Sequence, residues 1–558
     1  MKKIPIGHSD YKTIRSNPEL LYVDKTDLIS EFLEDHCMVL LITRPRRFGK
    51  TLNLSTLRYF FDQENAQENR KLFEGLKVFK NKKAIAEQGT RPVIYLTFKD
   101  LKERSWLDLE QKLRYLFAEL VIPWTRSNDL LLDAPDQEFL QNIRWGRVPT
   151  SGLADTLKFL SRILASHYKV TPLILIDEYD VPLQSAWAEG YWDEAVTFFR
   201  NFFSAGFKDN PYLWRAVITG CLRVARESMF TGMNNLKVCG VSATDYSRHF
   251  GFTVSEVKQL IQDYNLCAIE TQIEAWYNGY LFGETTLYNP WSILNLMDQQ
   301  GEFRNYWVNT SGNDLVKEIL SRTGAQAKRE LEDLMTGQSI TVSLQEQVVF
   351  QEIENTSANL WNFFYFTGYL KAVSIQKNEE GFWVELKIPN LEIKRIFSDS
   401  VKIWFQKSES NTVLSNLKHS LMTGNTEDFG LIFQRLVLDS LSYFDTSGHE
   451  PEKFYHGLVL GLMAYYSDTW HIRSNRESGY GRCDILMTPK NSDHYGIVME
   501  LKTHHPTLEK DLRATAQKAI EQIEKKQYEQ ELIASGAQKI LKLGIGFKGK
   551  DLEILTKP

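Results

Sequence analysis

Cysteine is scarce in this chain, and its placement does not suggest disulfides or bound metal. The sequence has 558 residues and five cysteines, and no two of them form a CxxC pair. An odd number of scattered cysteines argues against a disulfide framework or a zinc site. A reducing, cytoplasmic environment is therefore expected.

Long apolar runs are also missing. No run approaches the roughly 18 apolar residues that a membrane span requires. The chain begins MKKIPIGHSDYK, where two lysines are not followed by an apolar segment. We therefore expect no membrane span and no signal peptide.

Proline, glycine and net charge are low as well. With 16 prolines and 32 glycines, the chain is not rich in linkers, and 43% hydrophobic with 25% charged residues is typical of globular proteins. The net charge of −5 does not indicate nucleic-acid binding through bulk electrostatics, so any DNA contact must come from a local surface. The length exceeds the roughly 250–300 residues that one core supports, which predicts several domains.

The pattern of apolar runs predicts an α/β protein in three parts. Residues 1–245 alternate helical stretches with short apolar runs, which is typical of a parallel sheet covered on both faces. Residues 246–430 are mostly helical, and Thr253–Glu256 has the pattern of a capping box. Residues 431–558 have the order α-β-β-β-α-β, which predicts a separate small α/β domain. The five runs of the first part are 38–43, 92–98, 173–177, 216–219 and 237–242.

The first chemical motif follows the run MVLLIT. The segment Arg44-Pro45-Arg46-Arg47-Phe48-Gly49-Lys50-Thr51 stands between this strand and a helical pattern, which is the context of a phosphate-binding P-loop. Gly49 allows close approach of the backbone to phosphate oxygens, Lys50 reaches the β- and γ-phosphates, and the Thr51 hydroxyl binds Mg²⁺. The motif departs from the usual pattern because Arg44 replaces its first glycine.

A matching acidic motif follows the run LILI. Asp177 would hold Mg²⁺ through water, and Glu178 would orient or activate the attacking water. Thr219, at the end of another strand, either senses the γ-phosphate or caps a turn. Arg44, Arg46 and Arg47 form either a phosphate clamp or a solvated patch. ATP and Mg²⁺ are therefore the predicted cofactors.

A second constellation lies near the C-terminus. Asp484 and Glu500 are spaced as on two adjacent strands joined by a hairpin. Glu500 and Lys502 share one strand face, because the side-chain period of a strand is two. Two carboxylates and an ammonium group predict a Mg²⁺ site in which Lys502 positions or deprotonates a water, or neutralises developing charge.

These motifs together resemble the predicted AAA-ATPase-like family of bacterial proteins, in which an arginine-rich loop also replaces the first P-loop glycine. The resemblance extends to Tyr22–Thr26, Trp276–Tyr280, Tyr288–Pro290 and Tyr306–Asn313. It implies that Asp24 and Lys25 lie near the nucleotide. The aromatic and asparagine-rich pieces either form turns and packing or act as a lid or relay beside the nucleotide.

The C-terminal block is similar to the PD-(D/E)xK nuclease domain usually fused to that ATPase family, with a restriction-endonuclease-like fold. The resemblance implies catalytic roles for Asp484, Glu500 and Lys502. It adds Glu477 and Gln522, with Tyr528, as auxiliary residues. His456 either faces the metal or is an ordinary core histidine.

The sequence thus predicts an ATPase fused to a Mg²⁺-dependent nuclease that cuts nucleic acid, with DNA favoured over RNA. It suggests a role in defence against phage or mobile DNA and allows a homo-oligomer. Two alternatives remain open: a nucleotide-switched regulator that holds nucleic acid without cutting it, and a signalling ATPase that acts by oligomerising. Candidate arginine fingers are Arg223, Arg226 and Arg248, each of which is equally consistent with a surface salt bridge. The basic stretch 518–526 is either a DNA contact or a solvated face.

Overall fold

The computed structural model divides the chain into two compact units. The first comprises Met1–Asn309 and Thr341–Glu392, and the second Thr310–Ile340 and Ile393–Pro558. The structure describes all residues except 127–131, 224–228, 231–232, 308–324, 346–355, 380, 398–410, 442–454, 457–458, 461, 464–465, 479–480, 506–508, 549–550 and 558.

A parallel sheet forms the centre of the first unit. Its strands are β1 (Val39–Thr43), β2 (Val93–Thr97), β3 (Leu173–Asp177), β4 (Arg215–Gly220) and β5 (Leu236–Cys239). All pairs are parallel, in the order β2-β3-β4-β1-β5. Every residue of β1, β3 and β4 is buried, as expected for strands covered on both faces. The predicted sheet is therefore confirmed, and β4 lies between the two strands that precede the predicted nucleotide motifs.

Helices surround this sheet. In chain order they are α1 (Tyr11–Arg15), α2 (Asp27–Glu34), α3 (Lys50–Phe61), α4 (Ala66–Lys71), α5 (Lys82–Ala86), α6 (Trp106–Arg126), α7 (Ala134–Arg144), α8 (Thr150–Ala154), α9 (Thr156–Tyr168), α10 (Val181–Glu189) and α11 (Trp192–Phe207). Short 3₁₀ turns occur at Lys77–Lys80, Ser247–His249 and Cys267–Ile269.

The middle of the chain is mainly helical, as predicted, with short strands between the helices. The helices are α12 (Val254–Asp263), α13 (Glu270–Tyr277), α14 (Pro290–Asp298), α15 (Ala325–Thr336) and α16 (Ser357–Phe366). The strands are β6 (Phe252–Thr253), β7 (Tyr280–Phe282), β8 (Thr285–Tyr288), β9 (Ile340–Ser343), β10 (Lys371–Asn378) and β11 (Gly381–Lys387). They form two sheets, β6-β8-β7 and β10-β11-β9. The predicted capping box is present, because Thr253 and Glu256 each bond the other's backbone N–H.

The second unit contains a mixed five-stranded sheet. Its strands are β12 (Trp470–Ser478), β13 (Gly481–Pro489), β14 (Gly496–Thr503), β15 (Ile540–Lys548) and β16 (Asp551–Lys557), in that order. Only β14 and β15 run parallel, and α19 (Leu512–Lys526) provides the connection between them. The remaining helices are α17 (Asn411–Thr423), α18 (Thr426–Leu441) and α20 (Gln530–Ala534).

The division into units differs from the boundaries predicted at residues 245 and 430. Residues 246–309 and 341–392 pack with the parallel sheet rather than forming a separate region. Two buried contacts illustrate the reason. Phe48, beside β1, packs on the rings of Tyr280 and Phe282, and Lys25 forms an ion pair with Glu256 at 2.6 Å.

Candidate functional sites

The predicted phosphate-binding loop occupies the turn between β1 and α3. Gly49 caps the N-terminus of α3 with φ +83°, a left-handed conformation that favours glycine. A Cβ added at this position would meet nothing within 4 Å, so the backbone angle rather than crowding favours glycine here. The first backbone N–H groups of α3 lack partners within the helix, which makes this end suited to an anion.

Asp177 accepts hydrogen bonds from two threonine hydroxyls of the predicted nucleotide site. Its Oδ2 accepts a hydrogen bond from Thr51 Oγ1 at 2.7 Å, and its Oδ1 accepts one from Thr219 Oγ1 at 2.6 Å. The three residues meet because β1, β4 and β3 are neighbours and their carboxyl ends share one edge of the sheet. Thr51 and Asp177 supply the hard oxygen donors that Mg²⁺ prefers, so they fit the predicted metal.

Lys50 is held by the loop itself. Its ammonium group donates to the carbonyl oxygens of Arg44 and Pro45, both at 3.0 Å, and lies 3.4 Å from the Cys221 sulfur. The side chain is only 6% exposed. The loop therefore holds the positively charged ammonium group of Lys50 against its own backbone carbonyls.

Arg44 is not part of a phosphate clamp or of a solvated patch. Its side chain is 0% exposed and donates to the carbonyls of Thr43, Cys239 and Gly240 at 2.7 to 2.9 Å. Burial lowers its pKa to about 10. The side chain that replaces the usual glycine thus joins the ends of β1 and β5, and a nucleotide-binding role of the Arg44 backbone stays a prediction.

The other two arginines also have separate environments. Arg46 is half-buried and donates to Gln184 at 3.3 Å. Arg47 is exposed, and its guanidinium stacks 4.3 Å from the centre of the Trp291 ring. The three arginines therefore do not form one surface, and a nucleotide role remains a prediction for Arg46 and Arg47.

Two acidic residues follow the end of β3. Glu178 has φ +55°, an unusual backbone for a residue with a side chain. Burial raises its pKa, and Lys50 opposes the shift. Asp180, to which the sequence assigned no separate role, is fully buried. Its Oδ2 accepts from the backbone N–H groups of Cys221 and Leu222, both at 3.0 Å, so it fixes the segment after β4.

Two family-like pieces contact the P-loop directly. The Trp307 indole donates to the Arg46 carbonyl at 3.2 Å, and the Asn289 amide approaches the same oxygen at 3.5 Å. Trp307 also donates its backbone N–H to the buried carboxylate of Glu392 at 2.8 Å. Burial raises the Glu392 pKa to about 7. Of the predicted piece Tyr306–Asn313, residues 308–313 lie outside the described residues.

The expectation that Asp24 and Lys25 lie near the nucleotide is not confirmed by their contacts. Asp24 caps Thr26 and accepts from the Lys77 N–H, whereas Lys25 binds Glu256 and the Arg248 carbonyl.

Among the proposed arginine fingers, Arg226 lies outside the described residues, and Arg248 is exposed. Arg223 is half-buried and remains only a candidate.

The predicted nuclease residues converge on β13 and β14. The register of these antiparallel strands pairs Ile485 with Met499, which puts Asp484 opposite Glu500. Asp484 Oδ2 accepts from the Leu501 N–H at 2.8 Å, and Lys502 Nζ lies 3.2 Å from Glu500 Oε1. The predicted grouping of the three side chains therefore agrees with the geometry.

Glu500 is the buried centre of this group. It is 1% exposed, and its Oε1 accepts hydrogen bonds from Lys502 and Gln522, whereas Oε2 is buried with no partner among the described residues. Burial and then the nearby Asp484 raise its pKa to about 7. An unpartnered buried oxygen beside a second carboxylate is chemistry that a divalent cation would satisfy.

No larger ligand cluster surrounds this pair. Within the described residues, no group of three or more His, Cys, Asp and Glu side chains is arranged to hold a metal ion. A metal here would therefore rest on Asp484 and Glu500, completed by water and substrate oxygens, as Mg²⁺ sites commonly are.

Gln522 reaches this site from α19. Besides Glu500, its amide donates to the Tyr528 hydroxyl at 3.3 Å. The helix approaches β15 closely because Gly544 and Gly546 lack side chains. A Cβ on Gly544 would lie 2.6 Å from the Ala516 carbonyl oxygen.

We expect Gly544→Ala to destabilise the second unit by about 1–3 kcal/mol, because the clash is with helix backbone. Thermal and urea unfolding of the full chain would measure this change. Gly430→Ala is the matched control in α18, where nothing lies within 4 Å of the new Cβ. The control should be neutral or stabilising by up to about 1 kcal/mol. Equal stability of the two variants would contradict the close approach of α19 to β15.

The remaining auxiliary residues have unequal support. His456 is 7% exposed, and its Nε2 lies 3.0 Å from the Asp484 carbonyl and 3.1 Å from Ser474 Oγ. It thus contacts the backbone of Asp484. Glu477 belongs to β12, but its side chain lies outside the described residues.

Comparisons with known proteins match the two regions that contain these sites. Residues 5–230 match the family model "Predicted AAA-ATPase", and residues 450–557 match that of the PD-(D/E)XK nuclease superfamily. A relative from Azotobacter chroococcum mcd 1, "Uncharacterized protein in vnfD 5'region", is 28% identical over 401 residues, which cover 72% of this chain and 70% of that protein. None of the helices in the described ranges has the length and apolarity to cross a membrane. The chain thus joins an N-terminal region similar to the predicted AAA-ATPase family to a C-terminal region similar to the PD-(D/E)XK nuclease superfamily.

Proposed function

We propose that the chain is an ATPase fused to a Mg²⁺-dependent nuclease that cleaves phosphodiester bonds in nucleic acid, with DNA as its main substrate and phage or mobile DNA as its target. The observation that carries the nuclease part is the grouping of Asp484, Glu500 and Lys502, in which one Glu500 oxygen has no partner among the residues that the structure describes. A protein that only held nucleic acid would gain nothing from burying a carboxylate beside a second carboxylate, because burial of charge is costly.

The ATPase part is supported by the bonds of Thr51 and Thr219 to Asp177 and by the position of Lys50 inside the loop. Thr51 and Asp177 would hold Mg²⁺, which supplies charge neutralisation for phosphoryl transfer. Lys50 would exchange its bonds to loop carbonyls for phosphate oxygens. Glu178 would orient the attacking water, and its raised pKa is consistent with a group that accepts a proton.

In the nuclease site, Asp484 and Glu500 would hold the metal, which stabilises negative charge on the phosphate in the transition state. Lys502, 29% exposed at its side chain, would position the attacking water. Gln522 would keep Glu500 oriented through its amide, and His456 would keep the Asp484 backbone in place.

The test is a cleavage assay with the full chain on labelled duplex DNA, single-stranded DNA and RNA. Each substrate would be incubated with Mg²⁺ or EDTA, with and without ATP, beside the Asp484→Ala variant. We expect Mg²⁺-dependent cleavage of DNA that disappears in the variant. Full activity of a triple variant at Asp484, Glu500 and Lys502 would overturn the nuclease assignment. ATP hydrolysis without any cleavage would favour the nucleotide-switched regulator.

A further inference from the structure

A series of hydrogen bonds connects the P-loop to the buried carboxylate of Glu392. The Trp307 indole donates to the Arg46 carbonyl at 3.2 Å, and the Trp307 backbone N–H donates to Glu392 Oε1 at 2.8 Å. The Ser292 hydroxyl donates to Glu392 Oε2 at 2.8 Å. Both carboxylate oxygens are therefore engaged, and Glu392 is 0% exposed.

The Arg46 carbonyl, which accepts from the Trp307 indole, belongs to the peptide group between Arg46 and Arg47. A peptide bond is planar and trans, so the Arg46 carbonyl and the Arg47 N–H point in opposite directions. A donor that fixes the Arg46 carbonyl therefore also fixes the direction of the Arg47 N–H. Arg47 has φ +68°, so its backbone occupies a conformation that needs support from its surroundings.

The indole is itself held on two sides. Its ring packs against Tyr369 with a centroid distance of 4.8 Å, and its backbone is anchored by Glu392. An apolar residue at position 392 would fill space without holding the Trp307 N–H. Burying a carboxylate costs free energy unless hydrogen bonds offset it. Here the hydrogen bonds of Glu392 hold Trp307, which in turn contacts the P-loop.

We propose that Glu392, acting through Trp307, is a positioning residue of the nucleotide site that orients the Arg46–Arg47 peptide group for phosphate binding. The proposal rests on the ATP-binding part of the proposed function. Glu392 lies in the segment 341–392, far along the chain from the two nucleotide motifs at residues 44–51 and 177–178. Glu392 does not itself contact the nucleotide and acts only through Trp307.

The test uses Trp307→Phe in the full chain, which removes the indole donor but keeps an aromatic ring against Tyr369. We expect the KM for ATP and the Kd for ADP to rise by about 3- to 10-fold, the effect of one lost hydrogen bond. The kcat should change less than the KM. Loss of folded protein alone would lower kcat and leave KM unchanged, so the two constants separate positioning from stability.

Variants at Glu392 supply the second arm. Glu392→Ala should raise KM as Trp307→Phe does, and the double variant should show no further rise, because both changes break one series of bonds. Glu392→Gln should restore near wild-type KM, since its amide oxygen can accept from Trp307 and the Ser292 hydroxyl can accept from its NH₂ group. Trp361→Phe, at another fully buried tryptophan of the same unit, is the control and should leave KM unchanged.

The outcomes separate this inference from the function on which it rests. An unchanged KM and Kd in Trp307→Phe, with a wild-type chain that binds ATP, would overturn the positioning role alone. Additive effects of the two changes would overturn it as well. A wild-type chain that binds no nucleotide would overturn both the ATPase proposal and this inference.

Discussion

Glu500→Gln is expected to lower nucleic-acid cleavage by about a thousandfold or more while ATP hydrolysis stays at the wild-type rate. Glutamine has nearly the shape of glutamate but no charge, so it cannot contribute a carboxylate to a divalent cation. The initial rate of cleavage of labelled DNA in Mg²⁺ would measure the change. Glu521→Gln is the matched control, because Glu521 is an exposed residue next to Gln522 on α19. This variant should retain full cleavage.

Thermal unfolding gives the same variant a readout that does not depend on catalysis. Mg²⁺ should raise the melting temperature of the wild-type chain, because a ligand that binds only the folded state stabilises it. The increase should be clearly smaller in Glu500→Gln than in Glu521→Gln, because any Mg²⁺ that Thr51 and Asp177 hold would stabilise all three proteins. Equal stabilisation of all three proteins by Mg²⁺ would contradict metal binding at Glu500.

Lys50→Ala has the second large expected effect, a loss of ATP hydrolysis by about a thousandfold. The ammonium group is buried against the loop backbone, and removing it leaves the Arg44 and Pro45 carbonyls without their described donor. Phosphate release under saturating ATP would measure the change. ATP-independent cleavage by the nuclease site should remain.

Lys71→Ala serves as its control, because Lys71 is an exposed lysine at the end of α4 in the same unit. This variant should hydrolyse ATP normally. A Lys50→Ala protein that hydrolyses ATP at more than about a tenth of the wild-type rate would contradict the assignment of the P-loop.

The sequence predicts best where a pattern is local. The five strands of the parallel sheet were predicted within a few residues, because each is a short apolar run between polar segments. The capping box at Thr253 was predicted for the same reason, since its bonds span only three residues. The pairing of Asp484 with Glu500 followed from strand periodicity and hairpin spacing.

The sequence predicts less well where distant contacts decide. Strand β16, which the predicted element order lacks, lies at the edge of the sheet and pairs on one side only, with β15. The order predicted for residues 431–558 has one helix before its last strand, but the structure has two, α19 and α20, because Gln527 adopts φ +52° and ends α19 at Lys526. The burial of Arg44 depends on carbonyls of β5 and the following residue, almost 200 residues away in the chain, and no local pattern reports it.

The two units are interleaved along the chain, and this has a consequence for inheritance. Unit one is interrupted after Asn309 and resumes at Thr341, so Ser292 and Glu392 lie in separate segments of one folded body. A single recombination event that exchanged everything after residue 309 would therefore replace the partner of Ser292 and Trp307 along with the nuclease. Gene fusion can add a domain at one end of a chain. Exchange after residue 309, in contrast, requires that the new segment 341–392 still packs with residues 1–309. We therefore expect the ATPase-like and nuclease-like regions to be inherited together, with substitutions at positions 292, 307 and 392 occurring in concert.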